Sequence, residues 1–174
     1  LLIHLDPLAL AGKNLSNIII RGANFTQSIL QNTNLSQSIF ADCTFSSESG
    51  RTHSIQFSNN NEFFATGESS GDIRLWRTLD GQQTSILKGH KDWVRCILFN
   101  LNGSILFSSS DDQEIRIWDL KNGRCIEVLA GHQGRVYSLQ LTADQSTLVS
   151  VSNDRSIKIW SLSSYICIKT LLGH

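Results

Sequence analysis

The sequence predicts an all-β chain assembled from two kinds of repeat. Three observations point there: an apolar residue every five positions between residues 15 and 45, tryptophans 42 residues apart at Trp76, Trp118 and Trp160, and turn signals such as Asp80-Gly81, Asn102-Gly103 and Asn122-Gly123 between short apolar runs. Neither period is helical, because an amphipathic helix needs apolar contacts at three and four. A length of 174 residues suits one ordinary domain or two small ones.

Residues 1–12 read as the tail of a preceding domain or a linker. Their apolar stretch, Leu1 to Leu5 and Leu8 to Ala11, is interrupted by His4, Asp6 and Pro7. It falls far short of the roughly 20 residues a membrane helix needs. The chain begins Leu1-Leu2 with no Met, basic segment or small-residue cleavage site, so it reads as a piece of a longer protein with no readable secretory signal.

Residues 13–47 hold the five-residue period. Leu15, Ile20, Phe25, Leu30, Leu35, Phe40 and Phe45 recur at that interval, and small residues Ala23, Ser28, Thr33, Ser38 and Cys43 stand two places before the later ones. A period of five fits one side of a four-sided coil. Residues 20 apart then stack, Leu15 under Leu35, Ile20 under Phe40 and Phe25 under Phe45, while the small residue lets the backbone turn each corner. Seven such units make just under two coils, too little core to fold alone. Ala23-Asn24-Phe25 and Thr33-Asn34-Leu35 resemble the A(D/N)Lxx pattern of the pentapeptide-repeat family, which implies a short right-handed quadrilateral β-helix. Some members mimic DNA with acidic surfaces, but this stretch has Asp42 as its one acid. A cap or linker is expected instead.

From residue 48 to 174 three copies align without a gap, at about 48–90, 91–132 and 133–174. His90, His132 and His174 keep the 42-residue interval, and Phe57, Phe99 and Leu141 each precede a Trp by 19 residues. Each copy reads as four strands separated by turns. They are His53 to Phe57, Glu62 to Thr66, Asp72 to Arg77 and Gln82 to Leu87; then Trp93 to Phe99, Ser104 to Ser109, Glu114 to Asp119 and Cys125 to Leu129; then Arg135 to Leu141, Thr147 to Val151, Ser156 to Ser161 and Cys167 to Leu171. Consecutive apolar residues, as in Cys96 to Phe99, suit sheets covered on both faces.

Gly89-His90, Gly131-His132, Gly173-His174 and Trp118-Asp119 resemble the landmarks of the WD-repeat family; Trp76-Arg77 and Trp160-Ser161 keep only the Trp. The resemblance implies a partial β-propeller of three four-stranded blades, whose ring of roughly four to eight blades further blades of the parent chain would complete. It also implies a structural hydrogen-bond network within each blade: His90, Ser110, Asp112 and Trp118 in the second copy, His132, Ser152, Asp154 and Trp160 in the third. In the family pattern the Asp accepts from the His, and the Ser hydroxyl bridges His and Trp. These groups are therefore expected to be structural and not a catalytic triad. The first copy has Glu48, Glu68 and Ser70 at those places and keeps only Trp76, so it should lack the network and be less rigid.

The same correspondence gives a candidate partner-binding face, with Trp93, Arg135 and Arg51 in one ring of positions and Asp111, Asn153 and Ser69 in another. Trp and Arg are frequent interface anchors. The alternative is that Trp93 packs on its own blade and Arg135 is solvated.

Fifteen basic and fifteen acidic side chains balance to zero, which leaves little field to draw in nucleic acid or anionic membrane. The four cysteines form no CxxC pair, so a disulfide or zinc framework is not demanded and a cytoplasmic location with reduced thiols is expected. The Gly-His histidines belong to different blades, so no metal and no cofactor is expected. A pentapeptide segment running into WD repeats resembles the junction of large bacterial signalling NTPases of the NACHT or NB-ARC type, although this chain has no GxxxxGKS/T loop. The function expected is a non-catalytic protein–protein interaction scaffold or sensor that binds other proteins or peptides. The alternatives are a stand-alone structural adaptor and an enzyme using propeller loops.

Overall fold

The computed structural model describes residues 10, 12–21, 25, 32–43 and 50–173, and the chain divides into two compact units, Leu1–Ser49 and Gly50–His174. Expectations that rest on His4, Ala23, Asn24, Ser28, Leu30, Phe45, Glu48 and His174 fall outside the described residues.

In the first unit β1 (Ile19–Arg21) and β2 (Ile39–Ala41) pair in parallel with Ile20 opposite Phe40, and an isolated parallel bridge joins Asn14 to Asn34. Both pairings are offset by 20 residues, one turn of a four-sided coil. Phe25 is buried and meets Phe40 edge-on, with ring centroids 5.8 Å apart. The corners differ in detail from expectation. They are turned by residues in the left-handed region, Gly12, Asn17, Asn32, Gln37 and Asp42 (φ +70, +60, +56, +60 and +53°), mostly short polar or glycine residues that tolerate it. The small residue that follows instead ties the coils together. Thr33 Oγ1 donates to the Leu10 carbonyl at 2.7 Å, Ser38 Oγ to that of Leu15, and Cys43 Sγ to that of Ile20 at 3.4 Å.

The second unit holds three antiparallel four-stranded sheets, each in sequence order. The first has β3 (Thr52–Phe57), β4 (Phe63–Glu68), β5 (Ile73–Arg77) and β6 (Gln83–Leu87); the second β7 (Val94–Phe99), β8 (Ile105–Ser110), β9 (Ile115–Asp119) and β10 (Arg124–Leu129); the third β11 (Val136–Leu141), β12 (Thr147–Ser152), β13 (Ser156–Ser161) and β14 (Cys167–Leu172). These are the three blades, and they accord with the twelve strands read from the sequence. No helix long and apolar enough to cross a membrane occurs among the described residues.

The sheets stack through two apolar cores built from the same positions 42 residues apart. Ala65, Ile73, Leu75 and Leu87 of the first sheet meet Val94, Ile97, Phe99, Leu106 and Trp118 of the second. Phe107, Ile115, Ile117 and Leu129 meet Val136, Leu139, Leu148 and Trp160 in the same way. Gly67 permits the first close approach, since a Cβ there would lie 2.6 Å from Val94 Cγ1. The next recurrence of the pattern is open: Ile55, Phe57 and Leu171 are exposed.

Candidate functional site

Two constellations stand out, one enclosed and one exposed. The enclosed one forms where the connection after an outer strand folds back on the next sheet. His90, which follows β6, places Nδ1 at 2.8 Å from Asp112 Oδ2 and Nε2 at 2.8 Å from Ser108 Oγ. The Trp118 indole N–H on β9 donates to the same Ser108 oxygen at 2.8 Å. In the third sheet His132 stands 2.8 Å from Asp154 and 2.7 Å from Ser150, and Trp160 donates to Ser150 at 2.8 Å. The proton order follows from the partners. An indole N–H only donates and a carboxylate only accepts, so the serine hydroxyl donates to Nε2 and Nδ1–H donates to the aspartate.

The hydroxyls at the centre are therefore Ser108 and Ser150, which corrects the expectation for Ser110 and Ser152. Alternate residues of a strand share a face, so Ser108 and Ser110 project the same way and spacing alone does not separate them. Ser110 ends β8 above the turn, where its Oγ donates to the Asp92 carbonyl and accepts from the Asp112 N–H; Ser152 does the same with Gly134 and Asp154. A usable signal existed: a hydroxyl stands ten residues before each of Trp76, Trp118 and Trp160, at Thr66, Ser108 and Ser150, whereas position 68 is Glu.

The first sheet also departs from its expected emptiness. Trp76 Nε1 donates to Thr66 Oγ1 at 2.9 Å. Glu68, drawn into β4, accepts from Arg74 Nε at 2.6 Å in a pair whose side chains are 4% and 10% exposed. Arg74 donates further to Gln83 and Ser70 to Glu68. A buried ion pair thus occupies the blade where the His–Asp link is missing.

Electrostatics follow from this burial. Burial alone would raise the Asp112 pKa, but the His90 side chain and the Lys91 and Glu114 N–H groups outweigh it and hold the carboxyl at about 2. Burial likewise opposes ionisation of Asp154, yet bonds from Ser156, Gln133 and His132 keep it well below the usual carboxylate range. Burial lowers the His132 pKa against the pull of Asp154, so the imidazole is held neutral. His90, Asp112 and Glu114 bring one nitrogen and two carboxylates within 4.8 Å. Those atoms serve protein partners, however: both His90 nitrogens are bonded, and Glu114 holds Arg116 at 2.6 Å.

The exposed constellation lies where the inner strands begin. Its two rings of positions are joined by backbone bonds, from Ser69 N to Arg51 O, Asp111 N to Trp93 O and Asn153 N to Arg135 O, at 2.8 to 2.9 Å. Arg51, Arg135 and Asn153 are exposed and Ser69 is partly so. Asp111 is not an open contact, because its side chain is 4% exposed and takes two bonds from Arg95, at 2.7 and 2.6 Å. Trp93 is 36% exposed, but His53 stacks on it at 4.2 Å and the Arg95 guanidinium lies 4.7 Å from its ring centroid. His53, which opens the first strand read from the sequence, is part of this stack. His53, Arg95 and Tyr137 were missed; each lies two residues after a chosen position, at the register shift that opens the innermost strand of its sheet.

Comparison with known proteins places these features in a family. The WD domain, G-beta repeat family matches residues 42–77, 81–119 and 123–161, and the pentapeptide repeats family matches residues 10–47. The matches 81–119 and 123–161 begin with β6 and β10, so the first and second sheets take their fourth strand from the following matched repeat, and β14 lies beyond the last match. An uncharacterised WD repeat-containing protein of Nostoc sp. is 43% identical over 94 residues, 54% of this chain and 6% of that protein. The nuclear distribution protein PAC1 of Mycosarcoma maydis is 44% identical over 42 residues, 24% of this chain and 9% of that protein. The chain thus spans less than a tenth of either relative. The three 42-residue repeats, their sheets and the match over well over half of the sequence make this chain a member of the WD domain, G-beta repeat family.

Proposed function

We propose that the chain is the non-catalytic recognition part of a larger cytoplasmic protein, a scaffold or sensor that binds other proteins or peptides. Its binding face carries Trp93, Arg135, Arg51, Asn153 and Ser69, with Asp111 holding the face in shape. Further repeats of the parent complete the ring over the open positions Ile55, Phe57 and Leu171. WD repeats are protein-interaction scaffolds, and that family membership is the background to the reading. One observation carries it furthest: the serine, histidine and aspartate side chains that resemble catalytic groups, Ser108, His90 and Asp112 and again Ser150, His132 and Asp154, are bonded to one another inside the sheets, so none of these is aimed at a substrate. The nearby loop face, by contrast, is exposed and rich in anchor residue types.

The direct test is capture of bound proteins by the parent protein, comparing wild type with Arg51→Glu/Asn153→Arg. Loss of specific partners from a folded double variant is the expected result; an unchanged partner set would contradict the binding face. Ester or peptide hydrolysis abolished by Ser110→Ala would contradict the non-catalytic reading. The signalling-NTPase parentage rests on the pentapeptide-to-WD junction. A full reading frame with no GxxxxGKS/T loop upstream would remove it.

A further inference from the structure

The exposed face is unevenly charged around Asp111. Arg95 occupies both carboxylate oxygens of Asp111. Arg135, from the neighbouring sheet, brings its Nε within 3.5 Å of Asp111 Oδ2, yet its side chain is 57% exposed and makes no hydrogen bond among the described residues. One buried carboxylate therefore answers two guanidiniums. The Arg135 backbone is pinned by the bond from Asn153 N at 2.8 Å, and Asp111 restrains its head, while its outward N–H groups have no acceptor. Arg51 and Arg155 add exposed positive charge on the same turns.

The acids of these turns keep their negative charge although they are hydrogen-bonded within the protein, so it is the open N–H groups of Arg135, and not a net positive field, that a ligand meets. Asp92 accepts from the Trp93 N–H; Asp112 and Asp154 accept from the histidines and from the Lys91 and Gln133 N–H groups. Beside Arg135, Tyr137 is 44% exposed, with its hydroxyl 3.4 Å from Asn153 Oδ1. A hollow of about 450 Å³ opens among Tyr137, Val151, Ser152, Asn153 and Arg155.

A planar guanidinium with free N–H pairs matches a carboxylate in a two-point fork, and adjacent aromatic rings suit the apolar neighbours of that carboxylate in a peptide. Nucleic acid fits less well, since a phosphate backbone needs positive charge along its whole length and the chain is neutral overall. We infer that this face takes an acidic peptide segment, one Asp or Glu of which is gripped by Arg135, with Asp111 as a positioning residue and Tyr137 and Trp93 as apolar flanks. The inference rests on the reading of this face as the interaction surface.

The test uses the whole chain, immobilised, and a displayed library of random dodecapeptides; recovered peptides are synthesised and their affinities measured against wild type, Arg135→Gln, Arg135→Lys and Tyr137→Ala. Circular dichroism checks that each variant folds. The expected result is a shared Asp or Glu, at least a tenfold loss of affinity with Arg135→Gln or with the peptide acid changed to its amide, and partial recovery with Arg135→Lys, which keeps charge but not the fork. Peptides without a shared acid that still lose affinity to Tyr137→Ala would overturn the acidic class and leave the face standing. No recovered peptide, or peptides indifferent to every variant, would overturn both.

Discussion

The first sheet and its two successors solve the same burial problem with different chemistry. In the second and third sheets the inner strands enclose a relay of indole, serine, histidine and aspartate. In the first, the indole still reaches a hydroxyl, at Thr66, but the rest of the space holds the Glu68–Arg74 ion pair. The hydroxyl-to-indole bond is thus the shared element, and what lies beyond it is exchangeable provided every buried polar group finds a partner. That is a rule of satisfaction, and Ser108, His90 and Asp112, like Ser150, His132 and Asp154, follow it.

The sharpest way to break the comparison is to orphan the ion pair. Glu68→Ala leaves the Arg74 charge buried with only Gln83 for company and is expected to cost about 3 to 5 kcal/mol in chemical denaturation, whereas Glu68→Leu with Arg74→Met should be near neutral. Equal damage from both would mean that the pair does more than satisfy itself. Next, Ser108→Ala strands both the Trp118 N–H and the His90 Nε2 and should cost about 2 to 3 kcal/mol, against about 1 kcal/mol for Ser110→Ala, which loses only turn bonds. The reverse order would restore Ser110 to the centre.

His90→Ala and Asp112→Asn are each expected to cost on the order of 1 to 3 kcal/mol, read as a lowered melting temperature; unchanged melting in either would remove the network from the list of stabilising features.

A smaller effect is pH dependence. Asp112, at about 2 in the fold, lies below its unfolded value near 3.9, so its contribution is complete above about pH 4 and is lost as the pH falls towards 2. The lowered His132 value has the same sign, with loss beginning below its unfolded value of about 6.5. Melting temperature should therefore decline on acidification, and Asp112→Asn should flatten the stretch between pH 4 and 2. An identical slope in the variant would contradict the assignment.

Much of the architecture was legible because repeats average out local ambiguity. Three copies of a 42-residue period placed twelve strands to within a residue or two, and the 20-residue offset of the first unit appears directly in the Ile20–Phe40 pairing. Finer choices were not legible. Ser108 and Ser110 lie on one face, and only the geometry tells which is level with the indole. Glu68 read only as a departure from the repeat pattern, with no partner named, until the register that sets Gly67 against Ile73 brings it to Arg74. The stack of His53, Trp93 and Arg95 joins two sheets, and no spacing within one repeat reveals it. The left-handed corners of the first unit left a trace in Asn17, Asn32 and Asp42, which short-range polar tolerance explains only after the backbone is seen.

The central claim is that the enclosed groups hold the fold and the exposed face holds the function. The most direct measurement pairs thermal unfolding with peptide binding for Ser108→Ala and Arg135→Gln side by side. Ser108→Ala should melt several degrees lower yet bind normally while folded, and Arg135→Gln should melt like the wild type yet lose binding. A Ser108→Ala protein that is fully stable but inactive in binding would contradict the division.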